Sequence, residues 1–382
     1  MVKNRVLIFD NSTIRGHHSV YINGVVKALQ QDPENQIFLV TADNGSFNWI
    51  DGIGENVSFL NFSYPTWAKG FVRFFRLIKL FNFIRALELF LVNQLAGKNG
   101  IDLIFFPHMD STLSELNPFW LHLLIKKPFS GIYLRPFNDT LGEGYTRFMS
   151  LVKLKQVRKI LLLDELLYNK VRKSDENKIV HIPELLLQTE TDKYVEEEVY
   201  KSSKGRIIIS IIGSHVSRKR LAPFLLICKP LDPERFFVVV EGLIPEDQYE
   251  EAELEQIQSL IKTIEANGNL RFVDDYIKTE EHFNALYKVS DLIWLSYLNH
   301  PYTSNAIIKA IYYKAGVLSN KACEFIEVMA KRYNHPLLDE TEVSQQSLIE
   351  YGHRSISNED YSRFLKDFSF KRFSGIVRES LR

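Results

Sequence analysis

The sequence predicts an α/β protein built as two Rossmann-like lobes with a cleft between them, and three observations predict it. Its 382 residues exceed what one core ordinarily organises and suit two domains of roughly 150 to 200 residues each. Short apolar runs closed by Pro, Gly or Asp alternate with stretches of helical period, the pattern of a parallel sheet wound with helices. That series stops at a polar, acidic stretch and then begins again.

In the first lobe, VLIF (6–9) reads as a strand, Gly16-His17-His18 as its loop, SVYINGVVKAL as an amphipathic helix and QIFLVTA as the next strand. IDLIFFP (101–107), PFSGIYL (128–134), KILLLD (159–164) and KIVHIPE (178–184) continue the series as buried parallel strands. QTETDKYVEEEVYKSSKG sustains no apolar period and reads as the connection between lobes. The second series runs RIIISIIG (206–213), a helix around APFLLICKPL, RFFVVVEG (235–242), a charged helix EDQYEEAELEQIQSLIKTIEANG, LRFVDDY, a helix through EEHFNALYKVS, and DLIWLSY. A further helix opens on Thr303-Ser304-Asn305 and stops at Gly316. These boundaries give a first domain over 1–190 and a second over 200–357, with a helical end, 358–382, running back onto the first.

Composition excludes several classes. Lys plus Arg (47) balance Asp plus Glu (47), so no global field steers the chain to nucleic acid. Cys228 and Cys323 stand far apart with no CxxC or Cys/His cluster, which leaves neither a disulfide framework nor a zinc signature and fits a reducing, cytoplasmic compartment. MVKNRVLIFDNS reads as a strand rather than a signal peptide, because Asp10 breaks its short apolar run.

One segment stands apart from both lobes. Residues 67–98, WAKGFVRFFRLIKLFNFIRALELFLVNQLAGK, are rich in Phe and Leu and carry Lys69, Arg73, Arg76, Lys79 and Arg85 against the single acid Glu88. The recurring charges leave no run of roughly 18 apolar residues for a spanning helix. Two readings stand: a basic amphipathic helix on an anionic membrane surface, or a helix packed on the sheet with its basic face in solvent.

Two places in the second lobe are suited to phosphate. Gly213-Ser214-His215-Val216-Ser217-Arg218-Lys219-Arg220 follows a strand and precedes a helix; a strand-end glycine admits an anion to the backbone, and three consecutive cations can neutralise a diphosphate. Taken alone, the run reads first as a solvated basic turn. The second place is the helix start at Thr303-Ser304-Asn305, where free N–H groups and the helix dipole favour an anion; its plainer reading is a stabilising Ser/Thr cap. Both follow carboxyl ends of strands, where open α/β sheets bind ligands.

Here the second lobe resembles the nucleotide-sugar domain of GT-B glycosyltransferases of the family 4 type. GSHVSRKR is similar to that family's strand-end glycine and basic loop, VSDLIWLSYLNHPYTSNAIIKAIYYKAGVLSN to its later phosphate-binding helix start, RFFVVVEG to its intervening strand, and LRFVDDYIKTEEHFNALYKVSD to the segment between, so the likeness spans about 206–330. The resemblance implies that Gly213, Ser214 and Lys219, with Arg218 or Arg220 beside it, and the loop Thr303-Ser304-Asn305 hold the donor diphosphate, and that Glu241, Pro301 and Lys309 border the donor ribose and sugar. Pro301 and Lys309 stand where the family carries an acidic pair; a lysine cannot accept from ribose hydroxyls but can reach a phosphate.

In the first lobe His18, in the loop after the first strand, and His108, after IDLIFFP beside Asp110, are candidates for acceptor-orienting or proton-handling groups; His108 reads equally as a surface loop histidine. Arg135 follows GIYL where many family members carry a His, and can bind an anionic acceptor or leaving phosphate. Asp164-Glu165 reads as a site candidate or as a helix cap. The expectation is a cytoplasmic glycosyltransferase, peripheral at the inner face of the membrane under the first reading of 67–98, that moves a sugar from a nucleotide-diphosphate donor to a glycan or lipid-linked acceptor. Retention of configuration and independence of metal are what the resemblance implies. The alternatives are a non-catalytic scaffold of the same fold and another GT-B enzyme such as a nucleotide-sugar epimerase.

Overall fold

The computed structural model describes residues 4–10, 17–41, 52–77, 80–113, 116, 118–134, 143–174, 177–186, 190–298, 304–320 and 322–382, with the backbone alone at 17–19, 111, 118–119, 143 and 174. The chain divides into two compact units, the first comprising Met1–Leu185 and Phe368–Arg382, the second Leu186–Asp367.

The first unit runs β1 (Asn4–Asp10), α1 (His17–Gln30), β2 (Asn35–Thr41), β3 (Val57–Phe59), α2 (Thr66–Leu77), α3 (Phe81–Lys98), β4 (Leu103–Phe106), α4 (Met109–Leu113), α5 (Pro118–Leu124), β5 (Phe129–Tyr133), α6 (Glu143–Val152), β6 (Val157–Leu162), α7 (Glu165–Val171) and β7 (Ile179–His181). Its seven strands pair in the order β3-β2-β1-β4-β5-β6-β7, every pair parallel. Such strands are buried on both faces, which is why they read as unbroken apolar runs rather than alternating ones. The sequence order reverses between β1 and β4, so the two strand ends there open a crevice at a switch point.

The second unit runs α8 (Lys193–Ser203), β8 (Ile207–Ile212), α9 (Leu221–Cys228), β9 (Phe236–Glu241), α10 (Glu251–Ala266), β10 (Leu270–Val273), α11 (Glu280–Val289), β11 (Leu292–Trp294), α12 (Asn305–Tyr313), β12 (Gly316–Ser319), α13 (Glu324–Arg332), β13 (Leu337–Asp339), α14 (Gln345–Gly352) and α15 (Asn358–Asp367). Six parallel strands pair in the order β10-β9-β8-β11-β12-β13, and the switch point lies between β8 and β11. Ile257, Leu260, Ile261 and Ile264 of α10 are buried; their i, i+3, i+4, i+7 spacing puts all four on the face that meets the sheet.

Three expectations change. The polar stretch 188–205 is not a bare connection: α8 is capped by Asp192, which accepts from the Tyr194 and Val195 amides, and belongs to the second unit. Only Val195 and Val199 carry its apolar stripe, too little periodicity to stand out, and an ion pair of Lys288 with Glu196 at 2.9 Å fastens it to α11. Segment 67–98 forms two helices, α2 and α3, rather than one. The C-terminal stretch also divides. α15 stays in the second unit, where Tyr361 donates to the Tyr312 carbonyl at 2.8 Å, whereas α16 (Phe370–Glu379) lies in the first. Its Phe373 and Val377 are buried, and Gly24 of α1 leaves room for Leu185 and Phe373, since a Cβ there would stand 2.3 Å from the Leu185 side chain. Ser130 of β5 donates to the Ser380 carbonyl at 2.7 Å. Among the described residues no helix is long and apolar enough to cross a membrane.

Candidate functional site

Beside the switch point of the second unit the carboxyl ends of β8 and its neighbour β9 are held by two glycines. Gly213 has φ +86° and Gly242 φ +142°, both in the region that side chains disfavour, and a Cβ on Gly242 would lie 2.2 Å from the Gly213 carbonyl oxygen. The Gly213 amide donates to the Glu241 carbonyl at 2.9 Å. This contact turns the loop 213–220 over the end of β8. Its backbone is stapled to the end of β11 and the segment after it: Trp294 Nε1 donates to the Lys219 carbonyl at 3.0 Å and the Leu298 amide to the Arg218 carbonyl at 2.8 Å.

The three cations of the loop have different surroundings. Lys219 Nζ donates to the Ile212 carbonyl at 3.2 Å, and burial, with Arg218 nearby, pushes its ammonium down to about 8. Arg218 is exposed, with its guanidinium 5.9 Å from the centre of the Tyr297 ring. Arg220, with φ +59°, turns the other way, its Nη1 lying 2.8 Å from Ser296 Oγ and 2.5 and 2.6 Å from the Glu340 carboxylate oxygens. Its charge is thus spent on tying the loop to the segments after β11 and β13. Ser214 is exposed, and His215 is fully buried with neither ring nitrogen hydrogen-bonded among the described residues. Burial, and then Lys219, lowers His215 to about 3, so it is a neutral packing imidazole.

Helix α12 starts beside this loop. Ser304 is its N-cap residue, but its side chain makes no cap bond, and no acid occupies the first turn from Asn305 onward. The Ser304 side chain instead lies beside the hydroxyl of Tyr297, whose ring meets Arg218. The first amides of α12 are therefore without a competing side-chain acceptor from Ser304. The plain-cap reading of Ser304 is corrected on this point. Thr303, Pro301 and Arg135 lie outside the described residues, as do the loop glycine at 16 and the His18 side chain.

Lys309 and Glu241 sit behind this surface. Lys309 is buried on α12, where its ammonium meets the Glu280 carboxylate and Asn284 Oδ1, the latter at 2.5 Å, and it stands 5.5 Å from the centre of the Phe283 ring. The same Phe283 and Lys219 Nζ each lie 3.3 Å from where a Cβ of Gly213 would be, so Gly213, Lys219, Phe283 and Lys309 form one neighbourhood. Glu241 ends β9 with its carboxylate buried between Arg271 Nε, at 2.9 Å, and His282 Nε2. His282, on the first turn of α11 and 28% exposed, is held in orientation by that carboxylate. Neither it nor Glu280 stands out in the sequence, because both sit in a charged, ordinary-looking helix start; Glu280 faces Lys309 only once α11 and α12 pack together.

In the first unit the switch point holds a second polar group. Asp10 ends β1 and His108 follows β4, with His108 Nδ1 2.6 Å from Asp10 Oδ2 and each side chain 1% exposed. A carboxylate only accepts, so Nδ1 carries the proton and Nε2 is the basic nitrogen. The Tyr21 ring meets His108 edge-on, centres 5.8 Å apart, and its hydroxyl is bonded to Glu184. Asp110 accepts from the Leu134 amide at 3.2 Å. Asp10 was visible in the sequence as the charge that ends the first strand; its partner was not, because 97 residues lie between them in the chain. Asp164 accepts from the Leu167 amide at 2.8 Å and caps α7, so the cap reading holds there. Among the described residues no group of three or more His, Cys, Asp or Glu could hold a metal ion.

No protein-family model matches the sequence, and no curated protein matches it. Similarity is found in solved structures. A glycosyltransferase from Rickettsia africae superposes with a TM-score of 0.68 at 13% identity, over 100% of this chain and 99% of that one. Anabaena HepE in complex with UDP-glucose gives 0.63 at 11% identity, and sucrose-phosphate synthase from Thermosynechococcus elongatus 0.63 at 12%, each over 99% of both chains. With two parallel α/β sheets of seven and six strands matched along their whole length in these proteins, the chain has the GT-B fold.

Proposed function

We propose that the chain is a nucleotide-sugar-dependent glycosyltransferase in which the second unit binds the donor and the first binds a glycan or lipid-linked acceptor. The observation that carries this reading is the pairing, at one switch point, of the Lys219 ammonium over the end of β8 with an α12 start that Ser304 does not cap, linked through Arg218, Tyr297 and Ser304. A leaving diphosphate gains negative charge in the transition state, and fixed cations with helix-start amides stabilise that charge without reorganising. The first-unit pair Asp10–His108 is a carboxylate-oriented imidazole of the kind that handles protons, and His18 and Arg135 complete the acceptor-side candidates. HepE is in complex with UDP-glucose, which makes UDP-sugars the first donors to try here.

In this reading Gly213, Ser214, Arg218, Lys219, Thr303, Ser304 and Asn305 hold the diphosphate, while Arg220 supports the loop. Transfer proceeds with retention and without a divalent metal, on the cytoplasmic side of a membrane, in polysaccharide or envelope glycan synthesis. The test is a calorimetric screen of the full chain against UDP-, GDP- and ADP-sugars, with nucleotide release followed in the presence of a chelator. Binding with slow release supports the reading; neither binding nor release across the panel refutes it. A donor-binding scaffold without turnover is the second reading, favoured by Lys309, whose buried ammonium is committed to Glu280 and Asn284. Binding without release under any acceptor would select it.

A further inference from the structure

Helix α2 carries two outward stripes beyond the one that packs it. Ala68 and Val72 are buried. Trp67, Phe71 and Phe74, spaced i, i+4, i+7, are 56%, 54% and 55% exposed, and Leu77 is 75% exposed. Lys69, Arg73 and Arg76 repeat the same spacing two positions on, which places them on the opposite flank with Leu77 between the two stripes at the crown. The aromatic run continues into α3: ring centres lie 6.4 Å apart from Trp67 to Phe71, 6.4 Å from Phe71 to Phe75 and 5.0 Å from Phe75 to Phe83. A helix that only packs on its own unit needs one apolar stripe, so the fold does not account for the outer one.

The charges on this face are as one-sided as the apolar groups. Glu88, the single acid of 67–98, is buried and bonded to Tyr64 and to Arg85, the latter at 2.8 Å. Lys69, Arg73 and Arg76 make no ion pair among the described residues, and they meet at an open cavity of about 420 Å³ completed by Tyr64, Val72 and Leu77. The partner of such a face must offer apolar depth and negative charge side by side.

We infer that α2 and the start of α3 dock this chain on a bilayer of anionic phospholipid, the aromatic rings and Leu77 entering the acyl boundary while Lys69, Arg73 and Arg76 meet headgroup phosphates. A second copy of the chain fits less well, because a two-fold contact through this face would bring like charges together. Single-stranded nucleic acid fits less well too, since Leu77, 75% exposed, stands between the cations and the aromatic rings and offers no ring for a base to stack on beside a bound phosphate. The inference does not depend on donor binding, and is measured without a donor.

The test is flotation of the full chain with phosphatidylcholine vesicles and with equimolar phosphatidylcholine–phosphatidylglycerol vesicles. At about 1 kcal/mol for each basic side chain near an anionic surface, three cations should favour the mixed vesicles by on the order of 100-fold. K69E/R73E/R76E should lose that preference, and W67S/F71S/F74S should lose binding although its cations remain; the comparison of two lipids with unaltered protein needs no variant. Equal binding to both vesicles, or unaltered binding of either triple variant, overturns the inference. So does release by inorganic phosphate, which would assign the cavity to a soluble anion, or vesicle-free dimerisation abolished by W67S/F71S/F74S, which would assign the face to a second copy.

Discussion

Replacing Lys219 by Met should make the protein more stable and the donor bind more weakly, and that pair of opposite signs is diagnostic of a site. Among the described residues the half-buried ammonium has only the Ile212 carbonyl, at 3.2 Å, as a hydrogen-bond acceptor, and its value is pushed from 10.5 down to about 8 by burial and by Arg218. Keeping it charged at neutral pH costs the fold at most about 3 kcal/mol by that displacement, so K219M should gain about 1 to 3 kcal/mol of stability in chemical denaturation. A charge-assisted hydrogen bond to phosphate contributes about 1.5 to 3 kcal/mol, which predicts a loss of roughly 10- to 100-fold in nucleotide affinity by calorimetry. The signs with pH follow from the direction of the displacement. The folded-state value lies below the unfolded one, so the destabilising contribution is fully present below about pH 8 and relieved as pH rises toward 10.5. Donor affinity runs the other way: it is flat below about pH 8 and falls by up to about tenfold per pH unit above it, and K219M abolishes this dependence. Equal nucleotide affinity in K219M and the unaltered protein, or loss of stability in K219M, would refute the placement of this ammonium at the diphosphate.

Three further outcomes are expected. Arg220→Ala, which breaks contacts to Glu340 and Ser296, should cost about 3 kcal/mol of stability by leaving a partly buried carboxylate unpaired, yet reduce donor affinity less than K219M; calorimetry and denaturation on both variants decide it. Asp10→Asn replaces an accept-only carboxylate by an amide that can also donate, so it no longer fixes the His108 tautomer, and should reduce glycosyl transfer on the order of 100-fold or more while nucleotide binding to the second unit is unchanged; a donor-affinity loss equal to the transfer loss would contradict that division. Gly242→Ala would place a methyl 2.2 Å from the Gly213 carbonyl at a φ of +142°. It should destabilise by more than about 2 kcal/mol and weaken donor binding through the displaced loop, as thermal unfolding and calorimetry would show.

The sequence by itself determined the fold class, because strands buried on both faces must be apolar throughout and must end where the backbone leaves the sheet. RIIISIIG and RFFVVVEG therefore announced β8 and β9 together with their glycines. Short late elements were missed for the same reason: β13 is three residues, and α8 has only two apolar positions to mark its period. The basic loop 213–220 was legible as a cation cluster, but three adjacent charges look alike in a sequence. Only the tertiary structure separated them, by setting Glu340 against Arg220, the Ile212 carbonyl against Lys219 and the Tyr297 ring beside Arg218. Asp10 with His108, and Glu280 with Lys309, are pairs made by strands and helices far apart in the chain. Local periodicity reports which face of an element is buried, whereas the energy of a charge depends on what the neighbouring element brings to it, and that is decided only when the sheet is assembled.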